Sequence, residues 1–84
     1  MVLPDQPVTL TAEQIRELNQ KLSTLRHDVN NDLALVIAAA EIIRRKPETA
    51  ERMWSRLTEK PHKIAEAVTQ FSRELEAALG ITRP

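Results

Sequence analysis

A chain of 84 residues with one glycine, no cysteine, and 12 basic against 12 acidic residues excludes several classes of protein at once. It is too short for more than one small domain, and without cysteine it has neither a disulfide framework nor a thiolate metal site. The two charge signs balance and intersperse, which argues against nucleic acid or an anionic membrane as the main partner, and the aromatic-poor, Ala/Leu/Glu/Arg-rich composition favours helix over strand.

Residues 1–10, with Pro4 and Pro7, read as an extended N-terminal arm. The arm lacks the basic and apolar regions of a signal peptide. The longest apolar run, residues 33–40, is far short of a membrane span. A cytoplasmic location is the default expectation.

A helical hairpin is predicted over 11–80. Thr11 followed three residues later by Gln14 fits a capping box and opens a first helix of about 12–45. Ile15, Leu18, Leu22, Leu25 and Val29 recur in alternating steps of three and four, and Val36 and Ile43 continue at sevens, so the helix carries a bundle seam. Asp32 takes a seam place, with Leu33 beside it. Glu17 with Lys21 and Glu41 with Arg45 are spaced to pair along the helix, and Arg44, Arg45 and Lys46 suit its C-terminus.

Pro47 fits the first turn of a second helix, expected over about 48–79. Its stripe runs through Ala50, Trp54, Leu57, Pro61, Ile64, Val68, Phe71, Leu75 and Ala78. The stripe stays in phase on both sides of Pro61, which predicts one kinked helix rather than two. Trp54 is expected in the core, packed against the small run 38–40. Gly80 supplies a stop, and 81–84 form a tail. The fold class is therefore all-α: two antiparallel helices about 50 Å long. Half of each stripe stays wet, so the hairpin is expected to dimerise into a four-helix bundle, with a groove on another protein as the alternative.

The chemistry concentrates in Arg26-His27-Asp28-Val29-Asn30-Asn31-Asp32, a dense polar segment in mid-helix, where Asn and Asp are poor residues. With Ile15, Leu22 and Val29 on the seam, His27 lies farthest from it and points to solvent. Asn31 follows one turn later on the same outer face, and Asp28 flanks the imidazole about 100° around the helix. An exposed imidazole of this kind is a nucleophile; a neighbouring carboxylate holds one ring proton, and an amide one turn away orients a water or a phosphoryl oxygen. Such a set can move a phosphoryl group onto and off a histidine. Just below it, Ala34, Leu35, Ile37 and Ala38 make the helix apolar nearly all round, which suits either a docked partner or deeper burial. His62 lacks a matching polar set and reads as surface. No metal-ligand spacing is present, and no cofactor is expected.

Residues 25–33, Leu-Arg-His-Asp-Val-Asn-Asn-Asp-Leu, resemble the H-D-x-N-N-x-L phosphoacceptor box of sensor histidine kinases, in their dimerisation and histidine phosphotransfer domain. They are also similar to the H-D-x-x-N box of the sporulation-type phosphotransferases. The likeness extends over about 15–79 through the hairpin length and the pattern from Ile64 to Leu75. It implies His27 as the phosphorylated residue, Asp28 as its general base or orienting acid, and Asn31 as the residue used when such domains dephosphorylate a response regulator. Asn30 would be a supporting polar position. It further implies a homodimeric bundle in a two-component system, a response-regulator receiver domain as partner and a histidine kinase as a second one. Arg26, Asn30, Ala34, Ile37 and Ala38 are the expected partner-binding positions. One departure stands out: the ATP-binding domain of a kinase does not follow the hairpin here. The chain is then a phosphotransfer module or a kinase fragment rather than a self-sufficient kinase. The alternatives are a non-catalytic helical adaptor that docks a receiver or kinase, or a response-regulator phosphatase module using Asn31.

Overall fold

The computed structural model describes residues 2–81 and shows an all-α hairpin. Helix α1 spans Ala12–Arg45, a 3-10 turn covers Pro47–Thr49, and helix α2 spans Ala50–Leu79. Both ends of α1 follow from local chemistry. The Thr11 hydroxyl accepts from the Gln14 N–H at 3.1 Å, while the Gln14 side chain accepts from the Thr11 N–H at 2.8 Å, so two backbone donors at the N-terminus are satisfied reciprocally. At the other end Glu41 binds both Arg44 and Arg45, which sit where the helix dipole favours cations.

The connection is short because the turn closes on itself. The Thr49 N–H and its hydroxyl both donate to the Lys46 carbonyl, at 2.9 and 2.8 Å, and Thr49 is buried. Pro61 has no N–H to offer the Leu57 carbonyl, yet α2 runs through it without a break. Gly80 ends α2 in the left-handed region at φ 71°, and Ile81 donates back to the Glu76 carbonyl at 2.9 Å. The tail expected over 81–84 lies outside the described residues beyond Ile81.

The helices pair along their length, with Leu18, Leu25, Val29, Val36, Ala39 and Ile43 of α1 turned toward α2. Only Ala39 and Met53 are buried apolar residues among those described. The expectation for Trp54 is overturned: its side chain is 63% exposed, and Met53, its neighbour in sequence, takes the inner place. Successive helical residues are about 100° apart, so one of the two had to turn out. Met53, unbranched and flexible, packs into the inner place and is 8% exposed. Lys21 also differs from its expected pairing: it reaches across the hairpin to Glu74 at 3.6 Å.

Ile15, Leu22, Leu33, Ile37, Trp54 and Val68 are all exposed. At about 100° per residue, and with α2 antiparallel, these six fall on one broad side of the hairpin. The sequence stripes are thus split: part of each faces the partner helix and part faces outward. No helix among the described residues is long and apolar enough to cross a membrane.

Candidate functional site

Residues 26–32 lie in the middle of α1, which is helical throughout. His27 projects away from α2, with 81% of its side chain exposed, and the Asp28 side chain is 59% exposed. The His27 Nδ1 lies 3.4 Å from Asp28 Oδ1, at the long end of a hydrogen bond. When Nδ1 carries the ring proton, it donates to the carboxylate. The lone pair then sits on Nε2, at the outer edge of the ring.

Asp28 stands between His27 and a shallow open groove on the second broad side of the hairpin. Asp28, Asn31 and Asp32 line it from α1, and Lys63, Glu66 and Gln70 from α2. Next to it, toward the open end, Leu25, Ala67 and Phe71 form an apolar hollow rimmed by the Lys21–Glu74 pair. The structure therefore joins His27 to Asp28 directly, and Asp28 to Asn31 through the groove.

The remaining sequence-nominated positions separate from this cluster. Arg26 and Asn30 are exposed, and helical phase turns them to the flank away from the groove. Ile37 belongs to the exposed apolar side with Leu33 and Trp54. Ala34 and Ala38 are exposed and face outward below His27, on the side away from α2. The all-round apolar stretch is thus open rather than buried deeper within this hairpin: Leu35 and Ile42 are exposed as well.

Asp32 has a partner that sequence reasoning missed. It turns inward and meets Lys60 of α2 at 3.4 Å, with 17% of the Asp32 side chain and 23% of the Lys60 side chain exposed. A seam position given to an acid calls for a cation on the facing seam, and Lys60 is the lysine that precedes Pro61 in the expected stripe. Lys63, which lines the groove opposite Asp28 and Asn31, was also missed; nothing in its local sequence marks it. Among the described residues no group of three or more His, Cys, Asp or Glu side chains could hold a metal ion.

Comparison of the chain with family models, with curated proteins and with solved structures returned no match.

Proposed function

We propose that the hairpin is a histidine phosphotransfer module of a two-component signalling system, with His27 as phosphoacceptor. It would act in the cytoplasm as a homodimeric four-helix bundle, exchanging phosphoryl groups with a response-regulator receiver domain. The observation that carries this reading is the His27–Asp28 pair: an outward imidazole on an unbroken helix, with a carboxylate 3.4 Å from Nδ1.

The chemistry follows from that pair. Nδ1–H donating to Asp28 leaves Nε2 free to attack a phosphorus atom. The Nε2–P bond forms as the bond from phosphorus to the donor's oxygen breaks, and the donor leaves with that electron pair. Positive charge develops on the ring, and the Asp28 carboxylate stabilises it. In the reverse step a receiver carboxylate attacks phosphorus, the N–P bond breaks, and the lone pair returns to Nε2. Asn31, one turn on, can direct its amide at a phosphoryl oxygen or at a water.

The test is labelling. Incubated with a phosphodonor kinase and ATP, or with acetyl phosphate, the wild-type chain should acquire an acid-labile phosphoryl group, seen as a band shift on a phosphate-affinity gel. His27→Gln should not. Equal labelling of the two would end the phosphotransfer reading. An adaptor that merely docks a receiver predicts no labelling but unchanged binding by His27→Gln. A phosphatase module is favoured by the placement of Asn31 in the groove, and it predicts that Asn31→Ala slows receiver dephosphorylation without loss of docking.

A further inference from the structure

On the groove side of the hairpin, the half nearer the turn differs in charge from the half nearer the open end. The α1 wall near the turn carries Leu35 and Ile42, seven residues apart on one stripe and 37% and 39% exposed, with the exposed Ala38 at its outer edge. The α2 wall carries Arg52, Arg56 and Lys63, all exposed and within about 40° of one another around the helix. Lys63 lines the groove, so this phase puts Arg52 and Arg56 on the same side. Glu59 is the one acid in the row. The two walls also stand level. Asp32 meets Lys60, and seven residues on toward the turn in each helix the buried Ala39 and Met53 keep that register. The stretch from Leu35 to Ile42 therefore lies opposite Arg52 and Arg56.

Ion pairing singles this face out. Among the described residues Lys21, Arg44, Arg45 and Lys60 each have a carboxylate partner, whereas Arg52, Arg56 and Lys63 have none. Toward the open end the same side turns acidic: Asp28 and Glu66 line the groove, and Glu74 neutralises Lys21. The opposite broad side exposes more apolar side chains but has no row of cations. Its two arginines, Arg26 and Arg44, lie far apart along α1, and Glu41 already holds Arg44.

We infer that this face docks a helix of a partner protein: an acidic amphipathic helix whose apolar stripe lies on Leu35, Ala38 and Ile42, and whose flanking carboxylates meet Arg52, Arg56 and Lys63. Apolar residues at a heptad interval beside a row of like charges are what one helix offers another in a coiled coil. A polyanion such as nucleic acid would be held by the cations alone and has no use for Leu35 and Ile42. The inference concerns this surface only and stands without any chemistry at His27.

The probe is a fluorescein-labelled synthetic peptide of about three heptads, with Leu at a and d and Glu at e and g, set against the same peptide with Lys at e and g. Like charges at e and g keep each peptide from pairing with itself. In fluorescence anisotropy at low salt the acidic peptide should bind, and the basic one at least about 10-fold more weakly. Added salt should weaken the acidic peptide's binding. Arg52→Glu combined with Arg56→Glu should reverse the preference, a result that misfolding cannot produce, since an unfolded variant binds neither peptide. Arg16→Glu, at an exposed position near the open end of α1, should leave the preference as it is. Leu35→Ser combined with Ile42→Ser should weaken binding of the acidic peptide. Failure of the acidic peptide to bind wild type, or equal binding of the two peptides, overturns the inference, and that comparison holds even if every variant fails to fold. An unaltered preference in the charge-reversed variant overturns it as well. His27→Gln should bind as wild type does, so loss of the phosphotransfer reading leaves this result untouched.

Discussion

Lys60→Met tests the least exposed charged contact between the helices. At 3.4 Å and an effective dielectric near 20, the gross attraction of Asp32 and Lys60 is about 5 kcal/mol. Desolvation of both groups offsets much of that. Exposed pairs contribute roughly 0.2–1 kcal/mol, whereas breaking a buried pair costs about 3–5 kcal/mol because one charge is stranded. Asp32 and Lys60, each less than a quarter exposed, lie between those limits. The expected cost of Lys60→Met is therefore about 2 kcal/mol. Against a total stability on the order of 4–13 kcal/mol for a chain this long, that lowers the melting temperature by roughly 10 °C. The double replacement Asp32→Leu with Lys60→Leu should recover most of the loss, since a matched apolar pair strands no charge. Urea unfolding followed by far-ultraviolet circular dichroism, at low and high salt and at fixed protein concentration, measures all three. Lys21→Met, which breaks the more exposed pair with Glu74, provides the contrast, with an effect below about 1 kcal/mol that salt removes. If Lys60→Met costs no more than Lys21→Met, the two helices are not held by an inward ion pair.

Other outcomes follow from single contacts and can be read from the same unfolding curves. Ala39→Leu adds bulk where the side chain is 1% exposed, and should cost about 1–3 kcal/mol by overpacking, while Ala34→Leu on the open outer side should be nearly neutral. Thr11→Ala removes the hydroxyl that caps the Gln14 N–H and should cost about 1 kcal/mol, with Thr11→Ser restoring most of it. Gly80→Ala meets no steric obstacle, since no atom lies within 4 Å of the added carbon, so its cost is the left-handed backbone alone, about 1–2 kcal/mol. A loss much above that would mean that Gly80 is packed against something in the assembled protein.

The site was legible in the sequence to the extent that it depends on one helix. His27, Asp28 and Asn31 all ride on α1, whose phase is fixed by Leu18, Leu25 and Val29, so their relative directions follow from 3.6 residues per turn. The opposite wall of the groove was not legible. Lys63, Glu66 and Gln70 reach it only because α2 returns antiparallel at a particular register, and register is a property of two helices together.

What the sequence determined by itself was local: an all-helical chain, a cap at Thr11, a stop at Gly80, and an imidazole turned away from the apolar stripe. These features need only neighbours within a turn or two, and their free energies are set there. The tertiary structure alone decided which apolar residues meet α2 and which are left for another surface. Met53 and Trp54 are apolar candidates one residue apart, and the way α2 packs on α1 buried the first and left the second exposed. Likewise Lys60 reads as a surface lysine until α2 brings it to Asp32, because a long aliphatic stem can lie in a seam while its ammonium meets a carboxylate.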